Sequence, residues 1–341
     1  MTEKVLGIKN HWIAISLFAA IVTLLYGCKS VNKKGPDIKN VKLEIKVDHF
    51  ENDFFNLDSN NLEKGLQKLK TKYGRFYTDF LFNIAAFSVE KTKLNKQLTA
   101  FLIANKSTCD SISYYIPDLN LQLKHIENAL KRAKIYFPKL KTPDRLITYI
   151  GPIDGYGSFA ISSNICIGLQ QFMGARYHRY IDQKAYLESI YGAQRLKQFT
   201  GAYIAPSAIK AWINREFPDQ PGHYTLKDKL LEEGRKAYLL KALLPNMPDS
   251  TIFGYDHQHM SWCKNNEILI KKYFEHENLL NTDSPEVIVT YISDNLRAEG
   301  LPEDFPDHIG KYLGFMMVRS YMENQNKTTL PGLMKLDLWE L

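Results

Sequence analysis

Between residues 118 and 136 apolar side chains return every three or four positions. Leu123, Ile126, Leu130 and Ala133 fall on one face and Lys124, Lys131 and Lys134 elsewhere, which predicts an amphipathic helix with a solvated charged face. The same period predicts helices at 60–72, 74–87, 92–105, 183–195, 204–216, 225–244, 257–277, 284–297, 308–324 and 329–338. Residues 41–47 (Val-Lys-Leu-Glu-Ile-Lys-Val) instead alternate strictly and predict a strand. Three short strand-like runs follow at 145–150, 159–162 and 165–169, separated by the turn-forming 151–157 (Gly-Pro-Ile-Asp-Gly-Tyr-Gly) and by Ser163-Asn164. A small sheet set between two groups of helices predicts an α+β fold, mainly helical, rather than alternating α/β. No internal repeat occurs and no linker divides the body, so residues 41–341 read as one domain.

The longest apolar run, residues 12–25, changes the picture of the N-terminus. Lys4 and Lys9 precede it and Tyr26-Gly27-Cys28-Lys29 follows. A basic start, about fourteen apolar residues and a small residue before a break make a secretory signal, and the run is short of the roughly 20 residues that a spanning helix needs. Leu25-Tyr26-Gly27-Cys28 resembles a bacterial lipobox, with Tyr26 departing from the usual small or β-branched residue. The expectation is a signal peptide over 1–27, a lipid on Cys28, a basic tether over 28–40 and a body held to the membrane without spanning it.

Composition adds exclusions. The 341 residues are 45% hydrophobic and 24% charged, near the average for a folded chain, so disorder and low complexity are excluded. The formal net charge is +7. Lys29, Lys33, Lys34, Lys39, Lys42 and Lys46 stand against only Asp37 and Glu44 in residues 29–46, so much of the excess sits on the tether. A basic tether suits anionic headgroups, whereas nucleic-acid binding needs a clustered patch on the body and is not expected. Cys109, Cys166 and Cys263 are too few and scattered for a disulfide scaffold or a zinc finger.

The helix at 225–244 holds the candidate chemistry. Thr225 and Asp228 form a capping-box pattern, and Leu244-Pro245 stops the helix. Leu226, Leu230, Ala237, Leu240 and Leu244 share a face, and Glu233 sits in the gap of that stripe. A carboxylate there must be paired, hydrogen-bonded or protonated, or reach water at the helix margin. Gly234 beside it costs about 1 kcal/mol relative to Ala and points to a close backbone approach. Gly310 and Gly314, one turn apart, read as tight helix packing. His257 and His259 lie in the first turn of a helix capped by Asp256 and read as solvated; Asp307 and His308 likewise open a helix. Neither a nucleotide loop nor a Gly-x-Ser-x-Gly elbow is present.

Several stretches together resemble the gliding-motility lipoprotein B (GldB) family over roughly residues 41–324. They are 49–55 (His-Phe-Glu-Asn-Asp-Phe-Phe), 72–77 (Lys-Tyr-Gly-Arg-Phe-Tyr), 203–212 (Tyr-Ile-Ala-Pro-Ser-Ala-Ile-Lys-Ala-Trp) and 238–250 (Tyr-Leu-Leu-Lys-Ala-Leu-Leu-Pro-Asn-Met-Pro-Asp-Ser). Gly254-Tyr255, Trp262-Cys263 and 308–314 (His-Ile-Gly-Lys-Tyr-Leu-Gly) complete the set. The resemblance implies a distant kinship with predicted zinc peptidases, and hence a degenerate zincin-like architecture. Those relatives carry His-Glu-x-x-His on this helix, where two imidazoles one turn apart bind zinc and the Glu is general base. Here the segment reads Glu232-Glu233-Gly234-Arg235-Lys236. Glu233 keeps the base position, while Glu232 and Lys236 replace both ligands. An ammonium has no lone pair for a metal, and Glu232 with Lys236 suits an ordinary i,i+4 surface ion pair.

The expectation is therefore a protein without enzymatic activity, bound metal or cofactor. It would sit in the cell envelope, lipid-anchored at the periplasmic face of the outer membrane, and support gliding motility or the associated secretion machinery by binding envelope proteins or peptides. In a zincin-like body the cleft lies between an edge strand and this helix, which assigns it to Glu232, Glu233, Lys236 and an edge strand carrying Ile165 and Ile167. Two other readings stay open: a residual metal-dependent hydrolase using Glu233, and a general envelope scaffold unrelated to motility.

Overall fold

Parallel pairing of distant segments builds the sheet. The first strand, β1 (Lys46–His49), lies beside β2 (Arg145–Tyr149) in parallel, with Lys46 opposite Arg145 and His49 opposite Thr148. β2 is also parallel to β4 (Asn164–Gly168), and β3 (Ser158–Ile161) is antiparallel to β4, giving the order β1-β2-β4-β3. The computed structural model describes residues 35–58, 61–222, 224–293, 296–298, 301, 305–325 and 327–338. Pro36–Leu341 form one compact unit.

Two of the predicted strands shift. The run 165–169 was expected at the sheet edge, yet β4 pairs on both sides and Ile165, Cys166 and Ile167 are fully buried. Apolar residues on both faces are what an interior parallel strand requires; the half-buried β3 is the edge. At the other end the alternating 41–47 pairs only from Lys46. Leu43 and Ile45 lie half-buried against the core without a ladder, and pairing begins where buried Asp48 accepts from Arg145 Nε at 2.7 Å. The hairpin strands otherwise fall within a residue of expectation.

Helices precede and follow the sheet. Before β2 run α1 (Phe50–Phe55), α2 (Leu62–Tyr73), α3 (Arg75–Asp79), α4 (Lys91–Asp110), α5 (Ile112–Tyr115) and α6 (Leu119–Tyr136). A π-helical turn, Phe80–Ile84, extends α3 where one longer helix was expected. After β4 come α7 (His178–Asp182), α8 (Lys184–Tyr191), α9 (Ala193–Leu196), α10 (Ile204–Glu216) and α11 (Leu226–Leu243). Then follow α12 (Asp249–Phe253), α13 (His257–Asn265), α14 (Glu267–His276), α15 (Pro285–Ile292), α16 (Ile309–Asn324) and α17 (Leu330–Lys335). Gly192, at φ 77°, divides 183–195 into two helices, and Asn266 divides 257–277. The chain is thus mainly helical with a four-stranded sheet, an α+β fold.

The core has three packed clusters. The largest surrounds the sheet and includes Phe50, Phe54, Phe76 and Phe80, whose rings meet at 4.7–6.2 Å. The second gathers α13–α16, and the third is a small group with Val318 and Leu333. Helix α11 feeds all three: Leu239 and Leu243 enter the first, Leu226 and Leu230 the second, and Leu231 the third. It crosses α16 at glycines. A Cβ on Gly234 would strike the Gly314 carbonyl, and one on Gly314 would strike the Leu230 carbonyl. The close approach read from Gly234 and Gly314 is therefore a backbone-to-backbone helix crossing, while Gly310 packs against the Leu230 side chain and the Tyr291 carbonyl of α15.

Candidate cleft at helix α11

The helix start is fixed by its sequence. Thr225 Oγ1 accepts from the Asp228 N–H at 3.2 Å, and Asp228 Oδ2 accepts from the Thr225 N–H at 2.9 Å, completing the capping box. Two turns on, Glu232 is 1% exposed and grips Arg235, itself equally buried. Arg235 Nε donates to one Glu232 oxygen and Nη2 to the other, each at 2.8 Å, and the Gln220 N–H donates to Oε1 at 2.8 Å. Lys236, 6% exposed, pairs with Asp219 from the loop between α10 and α11. Burial pushes the Asp219 carboxyl up, but Lys236 and Lys229 outweigh that and hold it below the usual range.

The expected surface pair between Glu232 and Lys236 does not form. A planar guanidinium three residues away matches a carboxylate in a two-bond fork, and the loop brings Asp219 to the ammonium. Both residues are thus interior.

Glu233 faces a cleft of about 300 Å³ between α10 and α11. Ser207, Lys210, Ala211 and Asn214 line it from one face of α10, and Glu233, Lys236, Ala237 and Leu240 from α11. Ser158 at the start of β3, Arg195, and Lys311 on α16 join them. Four cationic side chains therefore share the lining with one carboxylate. Glu233 keeps 26% side-chain exposure and lies 3.6 Å from Lys210 Nζ. Burial raises its carboxyl, yet Lys210, Lys311 and Lys236 overcome this and leave it below the usual range.

Of the candidates read from sequence, Glu233 and Lys236 line the cleft, Glu232 is turned into the Arg235 fork, and Ile165 and Ile167 lie in the sheet interior. Lys210, Lys311, Arg195 and Ser158 were missed. No local spacing marks them, because they come from four separate elements. Asp256 caps α13 by accepting from the His259 N–H at 2.8 Å, and His259 is 40% exposed, a solvated first turn. His308 opens α16 and stacks on Tyr255 at 4.9 Å. Among the described residues no group of three or more His, Cys, Asp or Glu is placed to hold a metal ion. Cys109, Cys166 and Cys263 are free thiols, and burial pushes Cys109 up to about 11 and Cys263 to about 12, far from a neutral-pH nucleophile.

The family model described as "Gliding motility protein GldB" matches residues 31–341. The chain belongs to the GldB family. No curated protein and no solved structure matches it. Membership ties the chain to gliding motility and points to the cell envelope. Among the described residues no helix is long and apolar enough to cross a membrane, while Cys28 and the expected signal peptide over 1–27 lie outside them. Four of the seven GldB-like stretches recognised in the sequence reach the cleft, through Tyr203 and Lys210, Leu240, Gly254 and Lys311.

Proposed function

We propose that this GldB-family chain is a non-catalytic lipoprotein that supports gliding motility, or its associated secretion machinery, by holding a protein or peptide segment. The turn 232–236 carries the proposal. A zinc-peptidase turn needs two imidazoles flanking its glutamate. Here Glu232 commits both oxygens to Arg235 and Gln220, and Lys236 presents an ammonium paired to Asp219. Glu233, the one carboxylate on the cleft, faces lysines. This donor set does not fit zinc. An edge strand beside a helix-floored cleft supports a degenerate zincin-like body that retains a place for an extended chain without the means to cut it. The lipid on Cys28 would hold that body at the periplasmic face of the outer membrane.

The test is a peptide-cleavage assay and metal analysis on the purified full chain in detergent. No zinc-dependent turnover is expected. Stoichiometric zinc with turnover lost in Glu233→Gln would overturn the reading. Deletion of the gene in a gliding host should stop surface spreading; normal spreading with a damaged envelope would favour the general scaffold instead.

A further inference from the structure

The outer edge of β3 has a defined hydrogen-bonding face. Gly168 N–H donates to the Gly157 carbonyl at 3.0 Å, so this opposed pair is a hydrogen-bonded one in the β3–β4 ladder. Antiparallel pairs alternate along a ladder. Phe159 and Ile161 therefore aim their backbone groups at β4, and Ser158 and Ala160 aim theirs outward. Among the described residues no strand pairs with that side. Ser158 also lines the cleft, so this unpaired edge and the cationic lining are contiguous.

We infer that β3 and the cleft form one site for an extended acidic peptide segment, its backbone added as a fifth strand and a carboxylate side chain placed beside Lys210 and Lys311. This rests on the peptide-holding reading above and adds the chemistry of what is held. The unpaired edge supplies the main-chain half of recognition. The lysines supply a charge-assisted half. The strand edge selects a peptide, and a peptide brings its negative charge as a carboxylate. Ala237 and Leu240 offer apolar surface to the methylenes of a glutamate side chain.

The full chain, immobilised in detergent, is panned against a displayed library of random decapeptides, and the retained pool is sequenced. Asp and Glu should enrich over the input. Lys210→Glu combined with Lys311→Glu should erase that enrichment and weaken the best acidic peptide by about tenfold or more. Ala160→Pro removes an outward N–H that no ladder bond uses, and should abolish capture of every peptide. N-methylation of alternate amides in the selected peptide should do the same from the ligand side, independently of how the variant folds. Enrichment of neutral or basic peptides that are still lost on N-methylation would overturn the acidic assignment and leave peptide holding intact. No enrichment would overturn both. Binding unaffected by N-methylation but displaced by inorganic phosphate would reduce the site to an anion pocket and overturn the inference.

Discussion

Glu232 and Arg235 satisfy each other in the interior, which makes the pair easy to break and hard to improve by halves. Arg235→Met would leave a carboxylate at 1% exposure without its fork, and should cost about 3–5 kcal/mol in a urea titration. The double replacement Glu232→Met with Arg235→Met should recover most of that loss, because a matched apolar pair removes the stranded charge. His49 is a second titrating point. Its Nδ1 lies 2.9 Å from Thr148 Oγ1 and 3.1 Å from Glu51 Oε1. The bond to Glu51 raises its pKa above 6.5, burial opposes this, and the charges of Glu51, Asp48 and Asp53 reinforce it. A raised folded-state pKa gives stability that is complete below pH 6.5 and lost as pH climbs through the folded value. Melting temperature should fall across that rise in pH, and His49→Gln should flatten the slope. At this scale Glu233 was legible, since a carboxylate in an apolar stripe announces itself. The partners of Glu232 and Lys236 were not. No local spacing marks Arg235 as the partner of Glu232, and Asp219 reaches Lys236 only because a loop folds back.

Elements show the same division. Helix α11 could be read at both ends, because the capping box and Leu244-Pro245 are local signals. Strand positions were local too, as alternation and turn residues mark them. Strand order was not: β2 joins β4 across the intervening β3, and nothing within 165–169 states which neighbours it will have. Helix breaks at Gly192 and Asn266 were hidden by apolar periodicity that runs on through them. The glycine crossing gives the element-scale prediction. Gly→Ala in an ordinary helix interior stabilises by about 1 kcal/mol. Gly314→Ala should instead destabilise by about 1–3 kcal/mol or prevent folding, because the added carbon meets the Leu230 backbone, which cannot swing aside. Gly332→Ala in α17, where the nearest atom to a new Cβ is 3.4 Å away, serves as the control and should remain folded in the same denaturation experiment.

For the whole molecule, the proposed lipid attachment can be tested apart from the body. Two or more acyl chains hold a protein stably at a bilayer where one does not. Cys28→Ser should therefore move the chain from the membrane to the soluble fraction on cell fractionation, with the circular dichroism of the body unchanged. A variant still sedimenting with membranes would show that something other than the lipid holds it. The compact unit places α11 as cleft floor and as a wall common to three clusters, with Leu231 and Leu239 fully buried on its other faces. A segment seated against Glu233 would therefore brace a girder, not a flap. Local opening of α11 must loosen all three packed regions at once, so occupancy should slow amide deuterium exchange at these interior leucines as well as at the rim.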